Sequence, residues 1–119
     1  MSVSSIDKSP IQLLAQPFSG GAIGAGATAF DTGWVAVGGY LNGRVRGNAH
    51  QDQDGTLTVE FGNVQGTGDL AFDVTLDATQ PDFQWPFDVI ILQPFVRISF
   101  VNGGVASTFF RANAMVLSI

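Results

Sequence analysis

Cysteine is absent from this chain, so neither a disulfide framework nor a thiolate metal site can be built from it. Histidine occurs once, at His50, which excludes a metal centre of two or three imidazoles within one copy. Lysine is as scarce: Lys8 and four arginines face ten acidic residues, for a net charge of −5. Arg44 and Arg46 are the one basic pair, and two arginines make no stripe able to displace counterions from a phosphate backbone; no nucleic-acid partner is expected. Long apolar runs are missing too. No segment approaches the roughly 20 residues that span a bilayer, and no membrane partner is expected. The opening Met1-Ser-Val-Ser-Ser-Ile-Asp-Lys8 has neither the basic start nor the apolar run of a secretion signal. None of the five asparagines begins an Asn-x-Ser/Thr triplet. The expectation is a protein made in a cytoplasm and not glycosylated.

Charged residues are only 13% of the 119, about half the usual share of roughly 25%. Hydrophobic residues make up 45%, with ten phenylalanines and fifteen glycines. A chain of this length forms one domain and buries about two-thirds of its unfolded surface, so it folds without a staple. So little charge leaves much neutral surface. Either the protein associates with copies of itself or a larger assembly, or it is a well-packed sandwich with a Ser/Thr/Gln/Asn exterior.

Residues 1–27 differ from the rest. Ser19-Gly-Gly-Ala-Ile-Gly-Ala-Gly-Ala-Thr28 is small and uncharged, and suits a tether. Ahead of it, Ile11-Gln-Leu-Leu-Ala-Gln-Pro-Phe18 is apolar and too short for an isolated helix. It reads either as an arm that packs beyond its own core through Ile11, Leu13, Leu14 and Phe18, or as a first edge strand followed by a loop.

From residue 28 onward the period is two. Leu57, Val59 and Phe61 point one way, with Thr56, Thr58 and Glu60 opposed; Leu70, Phe72, Val74 and Leu76 oppose Asp69, Asp73 and Asp77. Trp85–Leu92 becomes apolar on both sides, as for a strand covered twice or lying at an interface. Turn signals at 52–55, 62–68, 78–82 and 102–104 recur at strand-length spacing, and no window carries a helical period. These features predict an all-β chain: an antiparallel β-sandwich over 28–119, jelly-roll-like, of seven to eight strands, with an N-terminal extended arm. Residues 94–119 read as two strands folded back about Asn102-Gly103-Gly104, whose residues suit positive φ angles. In the last strand Phe110, Ala112, Ala114 and Val116 share one face. Phe109, Arg111, Asn113, Met115 and Leu117 share the other, so a bulge realigns them or the outer face meets another subunit.

Catalytic equipment is sparse. No serine sits in a Gly-x-Ser-x-Gly turn, and nothing in the sequence ties one to His50. Asp52-Gln-Asp-Gly55 resembles half a calcium loop, yet the twelfth position, where an EF-hand has glutamate, is Asn63. A carboxylate-rich turn explains Asp52 and Asp54 as well, and no cofactor is assigned. Glu60, Asp73 and Asp88 are the acids from which a hydrolytic pair could be drawn. Gly24-Ala-Gly-Ala-Thr-Ala29 fits the letters of a dinucleotide loop, but no βαβ unit accompanies it. Phe83, Trp85 and Phe87 alternate on one face, while Trp34 and Tyr40 flank residues 35–39. Such aromatics are core or, where exposed, platforms for sugar rings through Trp34 and Trp85.

Asp54-Gly-Thr-Leu-Thr-Val-Glu60, Pro94-Phe-Val-Arg-Ile-Ser-Phe-Val-Asn-Gly103 and Thr108-Phe-Phe-Arg111 together resemble segments of small β-sandwich virion proteins of tailed bacteriophages. The likeness spans about residues 50–117 and departs at Gly62–Gly68, where a Ser-x-Asp-Gly-x-Asn-Trp segment is usual. It implies a non-enzymatic structural protein located in the virion, most simply a capsid decoration or cement protein acting as a homo-oligomer, with a trimer favoured. A glycan- or receptor-binding module of a tail or fibre is the alternative. Within the expected closing hairpin, Arg97 and Arg111 lie on adjacent strands, each expected to bond a carboxylate or carbonyls.

Overall fold

Two antiparallel sheets face each other in the computed structural model of this chain, whose described residues are 9–14, 23–80 and 85–118. The strands are β1 (Ile11–Leu14), β2 (Thr28–Asp31), β3 (Val35–Ala36), β4 (Arg44–Gln51), β5 (Gly55–Gly62), β6 (Leu70–Leu76), β7 (Trp85–Ile90), β8 (Phe95–Asn102) and β9 (Phe110–Leu117). The first sheet has the order β1-β9-β4-β7 and the second β2-β8-β5-β6. β3 continues the β2 edge along β8, with Val35 opposite Val96, so nine strands fill eight positions. Successive positions alternate between the sheets, except for the β5–β6 hairpin. That path is a jelly roll, as the strand periodicity implies.

The period-two segments fold this way because each has one face that water rejects. Leu57, Val59 and Phe61 of β5 are fully buried, as are Val96, Ile98 and Phe100 of β8. Phe110, Ala112, Ala114 and Val116 close the core from β9. Each large side chain buried so contributes about 1.5–3 kcal/mol. Apolar segment 11–14 is the edge strand and not a detached arm: Ile11 lies opposite Val116 and packs against the core, and Leu14 lies opposite Ala114. The two-sheet body therefore begins before residue 28. Phe18 lies outside the described residues. A register shift falls between Gln12 and Leu14, whereas β9 runs against β4 unbroken from Arg44↔Leu117 to Gln51↔Phe110. The realigning irregularity thus sits in the neighbour of the last strand.

The closing hairpin expected at residues 94–119 does not form. β8 belongs to the second sheet and β9 to the first, so Asn102, Gly103 and Gly104 begin a crossing between layers. Among the described glycines only Gly26, Gly33 and Gly66 have positive φ. The reason is burial on both strands. Facing each other they cover themselves, and the rings of Phe100 and Phe110 meet at 4.3 Å between centroids.

The crossing is held by buried amides. Gln51 is 1% exposed, and its Nε2 donates to Gln53 O (2.7 Å), Asp54 O (2.9 Å) and Asn102 Oδ1 (2.9 Å). Asn102 is 3% exposed, and its Nδ2 donates to the carbonyls of Ile23, Gly24 and Val105 at 3.0–3.1 Å. One contact thus joins β4 of the first sheet to β8 of the second and satisfies three loops. Gly55 lacks a side chain beside it because a Cβ would fall 2.3 Å from the Phe100 ring. Asn102→Ala removes one hydrogen bond from each of those carbonyls and one acceptor from the Gln51 amide. It is expected to cost about 2–3 kcal/mol, read as a lowered urea midpoint at unchanged slope.

Candidate functional site

The outer face of the first sheet is made by the alternate residues of β9, β4 and β7 that the core does not use. Across the three strands they form rows: Leu117, Arg44 and Ile90; then Met115, Arg46 and Asp88; then Asn113, Asn48 and Pro86. Arg111 and His50 pair in the last row. Asp88 is gripped from β4 by both basic residues, accepting from Arg44 Nε at 2.7 Å and Arg46 Nη2 at 3.2 Å. Arg44 holds the Asp88 carboxyl below its ordinary range, partial burial opposes the shift and Arg46 assists it. Arg46 keeps 57% of its side chain in water, which leaves it open to another partner.

Between these rows runs a groove of about 640 Å³, with Gly47 and Asn48 in its floor and Pro86, Met115 and Leu117 on its walls. Its shape has a backbone cause. Asn113 turns its Oδ1 to accept the Asn48 N–H at 3.0 Å, and a Cβ on Gly47 would stand 2.0 Å from the Asn113 carbonyl oxygen. Only glycine permits that approach. Ile90 (43% exposed), Leu92 (53%) and Met115 (37%) leave the face apolar as well as basic.

The outer face of the second sheet is of another kind. Thr56, Thr58, Thr75 and Ser99 occupy it, with Thr58 Oγ1 donating to Asp73 at 2.8 Å. Arg97 Nε donates to both oxygens of Asp31 (2.9 and 3.1 Å), Nη2 adds a further bond to Asp31, and Glu60 stands 3.9 Å from Nη1. Arg97 thus meets the carboxylates expected of it, within one chain.

The remaining candidates are dispersed. Arg111 stacks over the Phe109 ring at 5.3 Å and is not adjacent to Arg97, because the two occupy different sheets. Gly103 donates its N–H to Asp54 O at 2.9 Å inside the crossing. Trp85 packs on the core from β7, Trp34 is half-buried beside β3, and the two lie at opposite edges of the sandwich, so no common stacking surface joins them. Phe87 is core, and Phe83 lies outside the described residues. His50 meets Phe109 edge-to-face at 4.9 Å. Asp52 accepts both the N–H and hydroxyl of Thr108, while Asp54 Oδ1 accepts from Ala78 N, so the two carboxylates serve different loops. Among the described residues no three His, Cys, Asp or Glu side chains converge as metal ligands. Asp88 stands on the opposite face from Glu60 and Asp73. The groove itself escaped sequence reasoning. Its signals were the apolar content of both faces of β9 and of the segment Trp85–Leu92.

Comparison with family models, curated proteins and solved structures finds no match to this chain.

Two measurements probe these contacts. Arg97 holds the Asp31 carboxyl below its ordinary value of 3.8, partial burial opposes the shift and the Gly33 N–H assists it. Because the folded value lies below the unfolded one, the pair stabilises at any pH above the ordinary carboxylate range. That contribution is lost as acid titrates the group through its depressed value. Asp31→Asn is expected to flatten the acid limb of the melting-temperature profile and, half-exposed as the pair is, to cost at most about 1 kcal/mol at neutral pH. Gly47→Ala must push β9 from β4; a loss of about 1–3 kcal/mol is expected on chemical denaturation.

Proposed function

We propose that this chain is a non-enzymatic structural protein of a tailed-bacteriophage virion, a capsid decoration or cement protein that binds the shell as a homo-oligomer, with a trimer favoured. The observation that carries the reading is the outer face of the first sheet, which no described residue covers and where an apolar groove and a half-used arginine stand on a rigid scaffold. Its regular strands give attachment without any need for a reacting group. The segments that resemble virion proteins fall on β5, β8 and the start of β9, the strands that build the centre of both sheets.

The work of such a protein is burial of surface. At about 25 cal/mol per Å² of apolar area, a few hundred Å² per copy contributes several kcal/mol before the cost of association. Repetition over many lattice sites multiplies a weak contact into firm attachment. Jelly rolls also serve lectins, and Trp34, half-buried at the sheet edge, keeps a glycan- or receptor-binding module of a tail or fibre as the second reading. Antibody labelling of purified particles from a lysate in which the chain is made separates the two. Label spread over the head is expected. Label confined to the tail would favour the second reading, and particles free of the chain would reject both.

A further inference from the structure

The charges of the described residues are unevenly divided between the faces. Three of the four arginines, Arg44, Arg46 and Arg111, stand on the outer face of the first sheet with Asp88 as the carboxylate among them. The acids gather elsewhere, and β6 carries the densest group: Asp69 precedes it, Asp73 lies within it and Asp77 follows it. β6 is also the outermost strand of its sheet, with β5 on one side and no strand on the other among the described residues. Leu70 and Phe72 belong by alternation to the inner face, opposite Phe61 and Val59, yet they remain 39% and 38% exposed. The edge therefore offers open backbone, two apolar side chains and negative charge. The groove across the first sheet offers apolar walls and positive charge.

We infer that the groove on the outer face of the first sheet receives the β6 edge of a second copy of this chain, Leu70 and Phe72 meeting Met115 and Leu117 while Asp73 meets Arg46. The inference rests on the homo-oligomer reading above and specifies its contact. Charge selects the partner. Two β6 edges paired with each other would set aspartates against aspartates, a repulsion that guards edge strands from self-pairing. Opposed to the basic face the same aspartates attract, steer encounter and fix register. Asp73 already accepts from the Thr58 hydroxyl, which orients it without neutralising it.

The two surfaces differ, and every copy gives an edge and receives one. They meet around a corner of the sandwich and do not lie on opposite sides, so the assembly can close as a reciprocal pair, each edge in the other copy's groove, or as a ring.

Native mass spectrometry on the full chain, at matched concentration, tests this with Arg46→Glu, Asp73→Arg and the double variant. Wild type is expected as a closed assembly of two or more copies. Each single reversal should weaken assembly at least tenfold, and the double variant should restore it. A monomeric wild type, a single variant that assembles normally, or a double variant that stays dissociated overturns the inference. Should either reversal lose its β-sheet circular dichroism, Arg46→Gln and Asp73→Asn replace them, with weakened assembly expected and unchanged assembly decisive against. Particle labelling is scored separately: a monomeric chain found on particles would sink this contact and leave the virion reading standing.

Discussion

The amide pair of Gln51 and Asn102 is the contact on which the rest of the molecule depends. Hydrophobic burial supplies most of the stability of a two-sheet sandwich, but it is non-directional and tolerates many ways of laying one sheet on the other. A buried amide does not, because each unmade hydrogen bond in a dry site is costly. With Gln51 at the end of β4 and Asn102 at the end of β8, the pair anchors the strands of both sheets at one place. It also collects carbonyls from residues 23–24, 53–54 and 105. The loops at that end are thereby set by the same two side chains that set the sheets.

Once the sheets are pinned, their outer faces take different characters from the same alternation. The second sheet turns threonines, a serine and the Arg97–Asp31–Glu60 cluster outward, a surface content in water. The first turns out two arginines that share one aspartate, a hollow floored by glycine, and aliphatic side chains that no described residue covers. Few charges elsewhere mean that little opposes association through that face. An interaction protein needs stiffness behind its sticky surface, since a flexible one spends its contact energy on ordering itself. The eight-residue pairing of β4 with β9 supplies it.

Much of the architecture was legible from period-two alternation, since only the burial of one face makes such a pattern worth keeping. Leu57, Val59 and Phe61 and their polar counterparts sort to the sides that alternation assigns them. The candidate site was much less legible. Arg46 and Asp88 stand forty-two residues apart in sequence and meet only because β7 lies along β4. Sequence hints did exist, in the doubly apolar end of β9 and in Ile90 and Leu92, but they did not say which strands would be neighbours.

The order of residues determined that this chain would be strands, where they turn and which side of each meets water, because those are local consequences of side-chain alternation and backbone preference. Partner choice between strands was left to the tertiary structure. β8 and β9, neighbours in sequence with a turn-like Asn-Gly-Gly between them, part into opposite sheets, where their apolar faces cover each other across the core.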